Sequence, residues 1–249
     1  FSGATNYFSF MMIPRDNPYV WNHYNAVLSF NPSNPPTEAL EILHLIPPHR
    51  WAVKRLDVAY DYPTPLEDGF MLPPPTSVRI ERYKDTLYYG AVNAKCTVCQ
   101  YDKSKQLKDV YNVASTQPMT RIEFRFKPKL KSIMEYDVTD FEAMGKYRYV
   151  PDTSELRGYR CDLKRLTNGK ENWKKMHRKR KADIRAAVES HVPDMLHLFQ
   201  EYIEGDITGF MLEDLNFPFT EVQDGYEYAN SLMRYRLRRH TPSASSNAI

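Results

Sequence analysis

Short apolar and aromatic runs, bounded by proline and asparagine, dominate the first two thirds of the chain, a pattern typical of β-strands. The predicted strands are 6–13, 26–30, 51–62, 77–83, 86–92, 95–103 and 119–127. The gaps around Asp85 and Asn93 are short enough for tight turns, and tight turns can join only antiparallel neighbours. The pattern therefore predicts an antiparallel meander.

Apolar residues at helical spacing predict a helix over 37–47 and more helices in the last third of the chain. The later predicted helices are 170–190, 193–203 with a proline in its first turn, and 221–236. Loops are predicted over 63–75 and 109–118, and disorder over the serine- and alanine-rich tail 241–249.

Strands followed by helices indicate the α+β fold class. We expect an antiparallel β-sheet platform in residues 1–150 and a helical, basic C-terminal part in residues 151–240. The 249 residues are 42% hydrophobic and 26% charged, which is typical of a globular chain with one large domain or two small ones.

Two absences in the sequence bear on where the protein acts. No apolar run approaches the roughly 18 residues that a membrane-spanning helix needs. Three cysteines are too few for a disulfide framework and favour a reducing compartment. We therefore expect a cytoplasmic protein without a membrane partner.

Positive charge is concentrated in residues 164–181, which hold nine basic residues against one acidic residue, although the whole chain carries only +3. Such a concentration is typical of proteins that bind a polyanion. The alternative is a solvated helix face, which is the commoner role of a charged run. The candidate DNA contacts are Lys174, Lys175, Arg178, Lys179 and Arg180.

Two aspartates fall on one face of the predicted strand 51–62. Strand alternation places Asp57 and Asp61 together, with Leu56 and Val58 on the opposite face. Aspartate is depleted in strands, and two like charges on one face repel each other. Mg²⁺ or Mn²⁺ would relieve the repulsion, since carboxylate oxygens are natural ligands of both ions. The alternative is an ordinary charged strand that faces solvent.

Two further predicted strands also carry charged residues on one face. Alternation puts Arg121 and Glu123 on one face of 119–127, and Tyr101 and Lys103 on one face of 95–103. Three such strands can assemble one polar surface. Its residues suit phosphodiester chemistry, with a nucleophile, carboxylates for a metal, and cations for the charge that develops on phosphate oxygens.

Four motifs in this part of the chain resemble the successive motifs of the Rep_trans family. They are Arg55-Leu-Asp-Val-Ala-Tyr-Asp61, Thr86-Leu-Tyr-Tyr-Gly90, Tyr101-Asp-Lys103 and Thr120-Arg-Ile-Glu123. These proteins are the replication initiators of staphylococcal-type rolling-circle plasmids. The resemblance covers about residues 50–130.

The resemblance implies a nicking-closing endonuclease that joins one strand of origin DNA to a tyrosine as a covalent 5′-phosphotyrosine. It makes Tyr101 the nucleophile, with Asp57, Asp61 and Glu123 as the acidic ligands of a divalent metal, Mg²⁺ or Mn²⁺. It also implies a homodimer that recognises plasmid origin DNA partly through C-terminal residues, with a host helicase as a further partner. One departure from the family pattern is Gln106, at a position where a glutamate is expected.

The charges near Tyr101 suggest roles for two more residues. Lys103 is expected to favour the phenolate of Tyr101, and Arg121 to offset charge on the phosphate. Tyr60, Tyr88 and Tyr89 are rival nucleophiles, although alternation places Tyr60 on the apolar face.

Two other functions remain open at this point. One is a metal-dependent nuclease in which the carboxylates activate water, and the other is a non-catalytic DNA-binding regulator.

Overall fold

The computed structural model describes residues 8–12, 26–30, 36–46, 48–74, 80–91, 94–127, 132–169 and 171–214. The helix predicted over 221–236 and the disorder predicted over 241–249 lie outside the described residues. The strands are β1 Phe8–Met12, β2 Ala26–Phe30, β3 Leu56–Tyr62, β4 Phe70–Leu72, β5 Ile80–Tyr83, β6 Thr86–Tyr89, β7 Cys96–Asp102, β8 Thr120–Phe126 and β9 Arg148–Val150. The α-helices are α1 Thr37–His44, α2 Lys103–Tyr111, α3 Arg160–Thr167, α4 Arg178–His191, α5 Met195–Tyr202 and α6 Ile207–Asp214.

Five antiparallel strands form the central sheet, in the order β3-β8-β7-β6-β5. Strands β5 to β8 follow one another in both sequence and space, which confirms the predicted meander. Strand β3 then pairs with β8 from the far side, with Asp61 opposite Arg121. The α+β fold class is confirmed, since this sheet is accompanied by six α-helices in the described part of the chain.

The central sheet has one apolar face and one polar face. Along β8, Ile122, Phe124 and Phe126 are buried on one side, whereas Arg121 and Arg125 on the other side are partly exposed. Strand β3 alternates in the same sense, as predicted from its sequence. The apolar face is covered by the core, and this leaves the polar face for a site.

The sequence pattern does not predict helix α2, because residues 103–111 contain few apolar positions. The predicted strand 95–103 and the predicted loop 109–118 cover only the two ends of this helix. The helix begins directly after β7, where the side chain of Asp102 accepts a hydrogen bond from the Lys105 backbone N–H and so caps the first turn. The left-handed Asn112 ends it. Tyr101 therefore lies on a strand that runs into a helix without a loop.

Other boundaries differ from the prediction at particular residues. Helix α4 begins at Arg178 rather than near 170, with His177 at its N-cap. Asp194 caps α5 by accepting from the His197 backbone N–H, so Pro193 precedes the helix rather than lying in its first turn. Strand β4, inside the predicted loop 63–75, pairs with β9.

Helices from the last third of the chain pack in two places. Met195 and Phe199 of α5 join the core cluster on the apolar face of the central sheet. Leu163 of α3 and Ile184 of α4 form a second cluster with β4 and β9. The predicted division into two parts at residue 150 stays a prediction. Helix α5, from beyond that residue, contributes to the core of the sheet.

Among the described residues, no helix is long and apolar enough to cross a lipid bilayer.

Phe124 is the residue on which we expect the central sheet to depend most. Its ring is fully buried and packs edge-on against Tyr60 and Tyr147, with centroid distances of 6.4 and 5.6 Å. Phe124→Ala should lower the free energy of unfolding by about 3–5 kcal/mol, because it leaves a cavity. Val110→Ala, at a side chain that is 64% exposed, should change it by less than about 0.5 kcal/mol. Urea denaturation measures both, and equal effects would contradict this account of the core.

Candidate active site

The register of the central sheet places five side chains in one row across its polar face. Asp61 is opposite Arg121, Arg121 opposite Tyr101, Tyr101 opposite Thr86, and Thr86 opposite Tyr83. Opposed residues in an antiparallel pair point to the same face. The register therefore brings one residue from each of the four sequence motifs into this row, namely Asp61, Thr86, Tyr101 and Arg121.

A second row lies beside the first and a third beyond it. The second row contains Ala59, Glu123, Cys99, Tyr88 and Glu81, and the third contains Asp57, Arg125 and Thr97. The polar surface predicted from alternation is thus present, and it gathers Asp57, Asp61, Tyr101, Arg121 and Glu123 on one side of the sheet.

Tyr101 donates a hydrogen bond from its hydroxyl to Oε2 of Glu123, at 3.0 Å. Both residues are buried, with exposed fractions of 8% and 9%. Burial raises the pKa of Tyr101 well above its ordinary value, and the negative charge of Glu123 raises it further. The side chain is therefore a neutral phenol at physiological pH, and its proton already points at a carboxylate.

Arg125 fixes the other oxygen of that carboxylate. Its Nε donates to Oε1 of Glu123 at 2.6 Å. Burial opposes ionisation of Glu123, but the hydrogen bond and charge of Arg125, together with the Tyr101 hydroxyl, hold its pKa below the ordinary value. Glu123 is therefore a charged acceptor with one oxygen anchored and the other directed at Tyr101.

Arg121 lies between Asp61 and Tyr101. Its Nε and a terminal nitrogen each donate to Asp61 at 2.6 Å, in a bidentate ion pair. The guanidinium also interacts with the Tyr101 hydroxyl. A bidentate guanidinium matches a phosphate as well as it matches a carboxylate, so Asp61 occupies the position where a phosphate could bind.

Asp57 is held by Arg55, whose Nε donates to Oδ1 at 2.8 Å. The hydrogen bond to Asp57 raises the pKa of Arg55. Asp57 also lies close enough to Glu123 for the two carboxyl groups to interact.

These contacts bear on the expected divalent metal. Each of Asp57, Asp61 and Glu123 is paired with an arginine, from Arg55, Arg121 and Arg125 respectively. In the described part of the chain, no three histidine, cysteine, aspartate or glutamate side chains come together as a metal-binding group. As arranged, the three carboxylates do not fit a metal site, because arginine nitrogens take the positions that a metal ion would need.

Lys103 is the first residue of α2, and its Nζ donates to Oε1 of Gln106 at 2.8 Å. Burial lowers the pKa of Lys103, as does the nearby positive charge of Arg121. Lys103 thus lies near Arg121, at the end of the polar face where α2 begins. The expected phenolate is not supported, since the pKa of Tyr101 is raised. Gln106, the departure from the family pattern, holds the Lys103 ammonium.

The rival tyrosines divide between the two faces, as alternation predicts. The ring of Tyr60 packs against the core, and burial raises the pKa of its hydroxyl. Tyr89 is buried and donates to Oε1 of Gln100 at 2.9 Å. Tyr88 lies on the polar face in the row beside Tyr101.

The basic segment, residues 164–181, includes the start of α4 at Arg178. Lys174, Lys175, Arg178 and Lys179 are exposed, and within the described ranges no carboxylate pairs with their side chains. The first turn of α4 has no acidic residue. Cations at the N-terminal end of a helix interact unfavourably with its dipole, and a bound anion would offset this interaction.

Arg180 differs from its neighbours in the basic segment. Its Nε donates to Asp162 at 2.8 Å, and its guanidinium lies 4.6 Å from the ring centroid of Tyr159. These contacts hold α4 against α3. Its predicted contact with DNA stays a prediction.

Arg55 and Arg125 are site residues that the sequence analysis did not propose. Strand alternation also places Arg125 on the same face as Glu123. It does not show that Arg125, rather than Arg121, forms the ion pair with Glu123. The available signal was the Glu-Phe-Arg spacing at 123–125, which puts the two side chains one pleat apart.

Comparison of the sequence with models of known protein families gives no match, and comparison with curated proteins gives no relative. The resemblance to Rep_trans proteins therefore rests on the four motifs alone.

Glu123 should make the stability of the protein depend on pH. Because its pKa is lowered on folding, its ionisation stabilises the fold above the ordinary carboxyl pKa, and this stabilisation is lost as the pH falls through the lowered value. Glu123→Gln should therefore lower the free energy of unfolding by about 1–3 kcal/mol at neutral pH, and the difference from wild type should narrow as the pH falls below the ordinary carboxyl pKa. Urea denaturation across this range measures it, with Glu142→Gln as an exposed control. A difference that stays constant with pH would contradict the assignment.

Proposed function

We propose that the protein is a DNA nicking-closing endonuclease that initiates rolling-circle replication of a plasmid through a covalent 5′-phosphotyrosine on Tyr101. The observation that carries the proposal is the Tyr101 hydroxyl, which donates to Glu123 at 3.0 Å and lies beside Arg121 in the same row. A nucleophile, its proton acceptor and a cation for the phosphate thus lie side by side. The four sequence motifs support the same function.

The Tyr101 oxygen attacks the phosphorus, and its proton passes to Oε2 of Glu123. The bond from phosphorus to the tyrosine oxygen forms as the bond to the 3′-oxygen of the preceding nucleotide breaks. That 3′-oxygen leaves with a proton, for which the Lys103 ammonium is the candidate donor, since its pKa is lowered. The free 3′-hydroxyl can prime synthesis, and the reverse reaction closes the strand without ATP.

Arg121 has to exchange partners for this reaction to begin. Its guanidinium is taken by Asp61, and the scissile phosphate would replace that carboxylate. The ion pair is partly solvated, with 26% of the Arg121 side chain and 38% of the Asp61 side chain exposed, which favours exchange with an anion from solution.

The basic segment supports a second contact with DNA, away from the chemistry. Four exposed cations at the start of α4 suit the phosphate backbone of origin DNA. The proposal also retains the homodimer, the host helicase and the cytoplasmic location that the sequence led us to expect. The divalent metal stays a prediction from the sequence, because the three carboxylates as arranged do not fit it, and no step here passes through it.

A non-catalytic DNA-binding regulator is the second candidate. It is favoured by the burial of Tyr101, of which only 8% is exposed. In such a protein, the hydrogen bond to Glu123 would serve the sheet alone.

Tyr101→Phe should abolish both nicking and the covalent adduct and leave DNA binding intact, because only one oxygen is removed. The lost hydrogen bond should cost about 1 kcal/mol of stability. The substrate is a supercoiled plasmid that carries the DNA flanking this coding sequence, incubated with Mn²⁺ or Mg²⁺ and analysed by denaturing electrophoresis.

Tyr89→Phe is the matched control, since it also removes one buried hydroxyl, the donor to Gln100. It should retain nicking. Cleavage without an adduct in wild type would favour the water-activating nuclease, and a mobility shift without cleavage would favour the regulator. An adduct mapped to another tyrosine would contradict the assignment of Tyr101.

Replacing Lys174, Lys175, Arg178 and Lys179 with alanine should weaken binding to duplex DNA of any sequence. Each lost phosphate contact should lower the slope of log affinity against log salt by about 0.9. Arg180 is left in place because it pairs with Asp162. The measurement is a salt titration by fluorescence anisotropy.

Lys108→Ala, at an exposed lysine of α2, is the control for the loss of charge alone. An unchanged slope in the fourfold variant would assign the segment to a solvated helix face.

A further inference from the structure

An open groove of about 560 Å³ lies on the polar face, near the end of the sheet where β5 forms the edge. Tyr83, Tyr88, Gly90 and Thr97 line it. Gly90 has no side chain, and a Cβ atom built on it would have only backbone atoms of β7 within 4 Å. The groove therefore lies over the backbone of β6 and β7, with two aromatic rings at its sides.

Both tyrosines are placed by the same register that places Tyr101. Tyr83 lies in the row of Tyr101, separated from it by Thr86 alone. Tyr88 is opposite Cys99, two residues before Tyr101 along β7. Adjacent strands lie about 4.8 Å apart, so Tyr83 on β5 is about 10 Å across the sheet from the strand that carries Tyr101.

The rings are accessible to a ligand. Tyr83 is 65% exposed, an unusual state for so large an aromatic side chain, and Tyr88 is half-buried. Exposed aromatic rings on a sheet offer stacking faces to unpaired bases, whatever their sequence. A base pair inside a duplex offers no free face to them.

The charges around the groove favour a strand that enters from the β5 edge. The Lys84 ammonium lies 5.6 Å from the centroid of the Tyr83 ring, and Arg121 and Lys103 lie at the Tyr101 end. Glu81 and Arg82 also line the groove, and the Arg82 guanidinium donates to the Thr167 carbonyl. Because the lining contains one acidic and one basic side chain, we expect stacking rather than charge to supply the affinity inside the groove.

We propose that Tyr83 and Tyr88 form a stacking platform that binds unpaired bases of single-stranded DNA and leads the strand to Tyr101. The delivery of the strand to Tyr101 rests on the proposed nicking function. Binding to the platform itself needs no cleavage.

The test is the affinity for a short fluorescent oligothymidine, measured by anisotropy in the Tyr101→Phe background so that no strand is cut. Tyr83→Ala and Tyr88→Ala should each weaken binding about 5- to 150-fold, the range expected for the loss of one stacked base. Tyr83→Phe and Tyr88→Phe keep the ring and should bind nearly as wild type. The salt dependence should stay unchanged in all four variants, because no phosphate contact is removed.

Two controls separate stacking from damage to the fold. Tyr202→Ala removes a tyrosine that is 51% exposed on α5, and it should leave the affinity unchanged. Binding to a duplex of the same length should not respond to Tyr83→Ala. Unchanged oligothymidine affinity in both Tyr83→Ala and Tyr88→Ala would overturn the platform, and so would a loss that the phenylalanine variants share.

The outcomes distinguish the platform from the nicking function. If the alanine variants lose single-strand binding while wild type forms no adduct with any DNA, the platform stands and the nicking function fails. If wild type forms the adduct while both alanine variants bind the oligothymidine normally, the nicking function stands and the platform fails.

Discussion

The hydrogen-bonded register between β7 and β8 holds the candidate site together, because it sets Tyr101 opposite Arg121 and Cys99 opposite Glu123. A shift of one residue in either strand would turn its polar side chains into the core and its apolar side chains outward. The core on the other face prevents that shift, since Ile122 and Phe124 are fully buried there. The packing of one face therefore fixes the chemistry of the other.

Charge on the polar face is balanced locally. The carboxylates of Asp57, Asp61 and Glu123 would repel one another if left alone, and an arginine on the same face offsets each of them. Glu123 is the most buried of the three carboxylates, and it is the one that accepts the hydrogen bond of Tyr101. The pairs that hold Asp57 and Asp61 are more exposed, so the proposed exchange of Asp61 for a phosphate at Arg121 takes place at a partly solvated pair.

The sequence sufficed for the features that depend on local alternation. The two faces of β3 and β8 could be predicted because each strand separates charged from apolar residues along its own length. The pairing of β3 with β8 is different, since it joins segments about sixty positions apart and sets the ion pair of Arg121 with Asp61. A metal was expected at Asp57 and Asp61 because their repulsion is visible in the sequence. The arginine partner of Asp61 depends on that strand pairing, whereas Arg55, the partner of Asp57, lies only two residues away along the chain. Helix α2 could not be predicted because residues 103–111 contain few apolar positions and because its cap, Asp102, is also the last residue of β7.

The separation of the two faces also affects how such a protein can change over evolutionary time. A substitution at Tyr83 alters a surface position, since 65% of that residue is exposed. The proposed recognition of single-stranded DNA at this position can therefore change at little cost to folding. The opposite holds at Tyr101 and Glu123, where the same atoms serve both the interior and the proposed reaction. Lineages derived from this chain should accordingly diversify from the β5 edge inward, with the middle of the sheet as the last region to vary.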